Sequence, residues 1–117
     1  MKSYTVIITP FAYDSLIKIR HYIAYVLCMP KAALNCINAI ESEIKKLEYM
    51  ATSFAAIQDE PWHTAGIRRI IAKQYYIYYY ADEVKGYVYV INIVYSKRNQ
   101  IRLLEKNSKL FLGYSEN

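Results

Sequence analysis

Glycine and proline are scarce in this chain of 117 residues, at three each. That excludes a collagen-like, low-complexity or linker-dominated polypeptide. Cysteine is scarcer still, with only Cys28 and Cys36. Two thiols make no disulfide framework, and without a CxxC pair or a Cys/His cluster they suggest no zinc site. They are expected to be two small buried thiols in a reducing compartment. No metal or other cofactor is expected. No apolar run approaches the ~20 residues of a membrane-spanning helix. In "MKSYTVIITPF" the apolar run is broken at Thr9-Pro10, so the start does not read as a secretory signal. A cytoplasmic protein without a membrane partner is the expectation.

What is present is apolar and basic. Hydrophobic residues make up 55% of the chain, enough for one core, and the length suits one domain over residues 1–117. The net charge is +5. A small basic domain suits a nucleic acid, an acidic protein or an anionic surface as partner. Residues 97–117 form a polar, basic C-terminal tail with a short helix expected around Gln100–Glu105.

"SYTVIIT" reads as a strand, with β-branched residues from Thr5 to Ile8. Thr9-Pro10 then opens a helix, threonine as N-cap and proline in the first turn. Leu16, Ile19, Ile23 and Val26 recur at helical spacing, and Lys18 and Arg20 fall off that stripe. Pro30 starts a second helix. Its stripe of Ala33, Ile37, Ile40, Ile44 and Leu47 faces one side, with Glu41, Glu43, Lys45, Lys46 and Glu48 elsewhere. Two helices with a short link form an antiparallel hairpin. Tyr49 to Ala65 has no sustained period and reads as loop with at most one helical turn.

Beyond Gly66 the pattern changes to strands. "IRRIIAK", "YYIYYYAD" and "YVYVINIVY" are rich in β-branched and aromatic residues. Lys73-Gln74 makes a tight first turn, and "ADEVKGY" with Gly86 makes the second. The fold class is α+β, in the order β-α-α-β-β-β, with the hairpin on one face of a small, mainly antiparallel sheet.

Alternation assigns the strand residues to faces. Arg68 and Arg69 are adjacent and so point oppositely. One faces the open surface and the other skirts the helices or the sheet end. Tyr76, Tyr78 and Tyr80 share one face, and Tyr75, Ile77 and Tyr79 the other. Tyr87, Tyr89, Ile91, Ile93 and Tyr95 are expected on one face of the last strand. The rings either pack with hydroxyls at the rim, stack on bases, or seat a partner helix. Asn92 lies in an apolar strand and needs hydrogen bonds if buried, so a structural network is expected of it. His21 reads as an ordinary surface histidine.

The strand ending in "ITP", the helical hairpin, "GIRRIIAKQYYIYYYADE" and "VYVINIVYSKRNQ" together resemble the RelE/ParE superfamily. These are toxins of type II toxin–antitoxin, or plasmid stabilisation, systems. The resemblance runs from Tyr4 to about Gln100. It implies growth inhibition by a small toxin, held inactive by a cognate acidic antitoxin, as a hetero-oligomer or with a homodimeric toxin. It also implies one of two targets. RelE-like members cut mRNA in the ribosome without a metal; ParE-like members inhibit DNA gyrase.

Metal-free RNA cleavage needs cations for the phosphorane charge and groups for proton transfer. By the resemblance, Arg69 and Arg98 match basic catalytic positions of RelE-like enzymes. Tyr76 stands where those enzymes place another arginine, and Leu104 near their C-terminal tyrosine. That half-constellation favours a ParE-like or undetermined target over a ribosome-dependent nuclease. Tyr95 and Lys73 are weaker compensating candidates, as are Glu60 and His63, a base–acid pair in the loop before the arginines. Arg68, Tyr76, Tyr78, Tyr80 and Lys97 are the expected partner contacts. A non-toxic basic binding module that kept the fold is the remaining alternative.

Overall fold

The computed structural model describes residues 3–97. Arg98, Leu104 and the expected helix at Gln100–Glu105 lie outside the described residues. The elements are β1 (Thr5–Ile8), α1 (Pro10–His21), a π-helical turn (Tyr22–Val26), α2 (Pro30–Met50), α3 (Trp62–Ala65), β2 (Ile67–Ala72), β3 (Tyr75–Asp82) and β4 (Tyr87–Tyr95).

Thr9 begins α1 as its sequence requires. Its backbone is extended, and its Oγ1 accepts from the Ala12 amide at 3.4 Å, with Pro10 in the first turn. The same hydroxyl donates to the Val90 carbonyl at 2.7 Å, so one side chain caps the helix and ties it to β4. Leu16 is buried, and Ile19 and Ile23 are partly so, against the helix-side core. Val26 departs from expectation: it is 60% exposed. From Tyr22 the helix widens, and the Leu27 amide bonds to the Tyr22 carbonyl five residues back. A π turn rotates later residues off a 3.6-residue stripe.

Along α2, Ala33, Ile40, Ile44 and Leu47 are buried, joined by Cys36. Cys28 is instead exposed, in the link between the helices, with a left-handed φ of 55°. The expectation of two buried thiols therefore holds for Cys36 alone.

The sheet has the strand order β1-β4-β3-β2. β2, β3 and β4 form the expected antiparallel meander, while β1 lies parallel to β4 from Thr5↔Tyr87 to Ile8↔Val90. A parallel pair needs a crossover, which the helical hairpin supplies. Lys73, with φ 55°, and Gly86, with φ 77°, take the left-handed conformations the two turns demand.

One irregularity changes the face assignment of β4. Tyr79 pairs with Val90 but Tyr78 with Asn92, leaving Ile91 as an extra, bulged residue. The bulge resets the alternation. Ile93 packs with the helix-side core, whereas Ile91 and Tyr89 pack on the opposite face. The single face expected for Tyr87 to Tyr95 is thus split at the bulge. Asn92, beside it, is 2% exposed and accepts from the Ser15 hydroxyl at 3.0 Å, a structural network linking β4 to α1.

The second face is more covered than the sequence suggests. The connection from α2 to β2 folds under the sheet, and the Ile57 amide bonds to the Ile67 carbonyl at 2.9 Å. Ile57 and Trp62 then bury Ile67, Tyr78, Ile91 and Val94 in a second, smaller core. Gly66 closes α3 with φ 79°, and its amide returns to the His63 carbonyl.

Candidate functional site: Arg69 and the tyrosine face

The two adjacent arginines are separated by the pleat. Arg68 pairs across the ladder with Tyr79, and Arg69 with Tyr78. Arg68 turns toward the helices. Its Nη1 donates to the Phe54 carbonyl at 2.5 Å and reaches the Thr52 carbonyl at 3.5 Å. Tyr79 is fully buried beside it and donates from its hydroxyl to the Ala51 carbonyl at 2.6 Å. Ala51 is the C-cap of α2, and Thr52 and Phe54 lie one and three residues beyond it. Arg68 and Tyr79 therefore form a clamp that fastens the end of α2 to the sheet. Burial pushes the Tyr79 hydroxyl up to about 12, only partly offset by Arg68.

Arg69 takes the other side of the sheet and is exposed. Its guanidinium carbon lies 4.1 Å from the centre of the Tyr76 ring, a cation–π arrangement. Tyr76 and Tyr78 meet edge to face with centroids 6.2 Å apart. The Tyr78 hydroxyl also bonds to Arg69. Burial raises its pKa, and the arginine bond pulls the other way. Tyr78 is only 1% exposed, so it supports the site from beneath and offers little surface to a partner. Tyr76, Tyr80 and Tyr89 are half-buried and Tyr87 is exposed, its ring 6.2 Å from that of Tyr89. The arrangement is a cation held on an aromatic floor.

The remaining candidates hold the following partners. Lys73 lines a shallow groove with Ala39, Ser42 and Glu43 of α2, on the helix side of the sheet. From there its charge reaches Cys36, whose thiol is pushed up by burial and eased slightly down by the lysine. Tyr95 pairs with Tyr75, with ring centroids 5.7 Å apart, and donates to Gln74 Oε1 at 3.1 Å. Glu60 accepts from both the hydroxyl and the amide of Thr64, at 2.7 and 3.0 Å. The Thr64 hydroxyl first, and its amide second, hold that carboxyl below its ordinary value, so it rests as a weak base. His63 places Nδ1 3.0 Å from the Ile57 carbonyl. His21 stacks obliquely on Tyr25 at 5.0 Å and is exposed. Lys97 is exposed just past β4. No group of three or more His, Cys, Asp or Glu side chains could hold a metal among the described residues.

Sequence reasoning missed the Arg68–Tyr79 clamp and the role of Trp62. The first needed the register of β2 on β3. The second had one signal, a lone tryptophan after Pro61 in an otherwise unpatterned loop.

No family model matches the chain, and no curated protein does. Solved structures do. A chain of the chromosomal ParDE TA system from P. aeruginosa superposes with a TM-score of 0.65 at 21% identity, covering 81% of this chain and 98% of that one. A chain of the RelBE2 toxin–antitoxin complex from Mycobacterium tuberculosis gives 0.56 at 18% identity, covering 80% and 98%. This chain has the RelE/ParE fold. The mixed four-stranded sheet with its helical hairpin is the α+β architecture expected from the sequence. No helix among the described residues is long and apolar enough to cross a membrane.

Proposed function

We propose that this protein is the toxin of a type II toxin–antitoxin pair, acting in the cytoplasm and neutralised by an acidic antitoxin. In this reading it acts by binding a macromolecular target, as ParE-like toxins do, rather than by cutting RNA. The observation that carries it is the composition of the Arg69 face. That face offers a cation on tyrosines but none of the nominated proton-transfer groups. Glu60 is committed to Thr64, His63 to the Ile57 carbonyl, and Lys73 to the other side of the sheet. RNA cleavage without a metal needs both charge stabilisation and proton transfer. Tyr78 is a poor base, since burial keeps its hydroxyl protonated.

The same face suits an acidic antitoxin segment. Arg69 attracts it, and Tyr76 and Tyr80 give it an apolar seat. The two structures named above come from toxin–antitoxin assemblies, which supports such a partner. Arg98, through its match in "SKRNQ", together with Arg69, keeps the RelE-like nuclease as the second reading. Mapping ribosome-bound mRNA ends with and without the protein separates the two. The proposal expects unchanged ends together with inhibited gyrase supercoiling. Codon-specific cuts that vanish in Arg98→Ala would overturn it.

A further inference from the structure

Arg68 and Arg69 are the only cations in the four strands. Arg68 is spent on the Phe54 carbonyl, so Arg69 is the one cation that the strands present on the tyrosine face. The strand register fixes what it meets. The Ile67 carbonyl accepts from the Ile57 amide, so the backbone of Ile67 turns away from β3. Two residues on, the backbone of Arg69 turns the same way. Arg69↔Tyr78 is therefore a non-hydrogen-bonded pair of the ladder, in which facing side chains stand closest. Tyr78 is 1% exposed and packs with Ile57, Trp62, Ile67 and Ile91, so the second core sets where its hydroxyl stands. That hydroxyl bonds to the Arg69 guanidinium. The Tyr76 ring takes a face of the same guanidinium at 4.1 Å, and Tyr78 braces that ring edge-on at 6.2 Å. Two tyrosines thus hold one arginine.

We propose that Tyr78 is the positioning residue of this site, and that the guanidinium it fixes is a fork for one carboxylate side chain of the partner. An exposed arginine gives up rotamer freedom when a partner binds it. Here two contacts already restrict that freedom in the unbound protein. A guanidinium carries five N–H donors in one plane. The Tyr78 hydroxyl accepts from one, and no ion pair among the described residues takes the others. The free donors match a carboxylate bidentately, which an ammonium group cannot do. Charge and surroundings select the ligand. A nucleic-acid backbone is bound through several cations, and the strands of this face supply one. A carboxylate on an aliphatic stem needs one cation with apolar surface beside it. Half-buried Tyr80 and Tyr89 and exposed Ile71, on the same face as Arg69, offer that surface. The choice of a carboxylate rests on the antitoxin reading; the positioning by Tyr78 does not.

Two measurements on the full chain test it: NMR of the arginine side-chain nitrogens, and titration calorimetry against the product of the adjacent open reading frame. Slowed rotation should give the Nη groups of wild-type Arg69 separate resonances, while those of exposed Arg20 average. Tyr78→Phe keeps the buried ring and removes only its hydroxyl. It is expected to average the Arg69 signals and to weaken binding about three- to tenfold, less than Arg69→Ala does. Arg69→Lys keeps the charge without the fork and should recover little of the affinity lost in Arg69→Ala. Of the partner's acidic residues changed singly to amides, one should cost affinity in the wild type and nothing further in Arg69→Ala. Wild-type Arg69 signals that average like those of Arg20 overturn the inference. So does an Arg69→Lys protein that binds normally. Normal binding by Tyr78→Phe beside weak binding by Arg69→Ala also overturns it, and leaves the antitoxin reading standing. Full affinity in Arg69→Ala overturns both the carboxylate fork and the reading of this face as the antitoxin's seat.

Discussion

Replacing each of the two adjacent arginines with alanine should give opposite results. Arg68 donates from a charged group to the Phe54 carbonyl at 2.5 Å, four residues past the end of α2. A hydrogen bond from a charged donor contributes about 1.5–3 kcal/mol. Arg68 is partly solvated, so the expected loss in Arg68→Ala is about 2 kcal/mol, or about 8 °C in melting temperature. Arg69 is exposed; its contact with the Tyr76 ring is worth about 0.5–1 kcal/mol at such a site, and its bond to the Tyr78 hydroxyl adds about 0.5 kcal/mol. Arg69→Ala should therefore lose about 1–1.5 kcal/mol, or about 4–6 °C, less than Arg68→Ala. Antitoxin affinity should reverse the order. Arg69→Ala is expected to weaken binding at least tenfold, and the folded Arg68→Ala protein should bind nearly normally. Thermal melts by circular dichroism and titration calorimetry against the antitoxin read both quantities. If Arg69→Ala destabilises more than Arg68→Ala, or leaves affinity untouched, the division of labour drawn from the pleat is wrong.

Alkaline stability follows from Tyr79. Its folded pKa of about 12 lies above the ordinary value near 10, so folding favours the protonated form. That contribution, roughly 2–3 kcal/mol, is fully present below pH 10 and disappears as pH rises toward 12. Unfolding monitored together with tyrosinate absorbance should show it, and Tyr79→Phe should remove this pH dependence. At neutral pH the same substitution orphans the buried Ala51 carbonyl and should cost about 1–3 kcal/mol by denaturant titration. Gly66→Ala should cost about 1 kcal/mol through its φ of 79° alone, because an added Cβ would meet only Tyr80 at an ordinary 3.6 Å. A loss above 3 kcal/mol there would contradict that geometry.

Much of this was readable from residue patterns, and the failures have physical causes. The α2 stripe, the Thr9 cap and the turns at Lys73 and Gly86 are set by local rules, and the structure agrees with them. So is the opposition of Arg68 and Arg69, which needs only a strand. Val26 and Ile93 were misplaced for one reason: each comes after a register change begins, a π turn in one case and a bulge in the other. Periodicity counts residues and cannot see an extra one. The clamp of Arg68 and Tyr79 on the end of α2 joins residues far apart in sequence, so no local pattern announces it. The candidate site divides the same way. Arg69 was legible from alternation, but the groove that Lys73 lines with α2 depends on tertiary contacts. The aromatic face was legible as a set, though not that Tyr78 lies beneath its neighbours while Tyr76 carries Arg69.

The central claim is that the chain is a toxin neutralised by a neighbouring acidic antitoxin. Induced expression of this chain alone, followed by colony counts, tests it most directly. The account predicts growth arrest that is relieved by co-expressing the adjacent open reading frame and abolished in Arg69→Glu. Unimpeded growth with abundant soluble wild-type protein would contradict it.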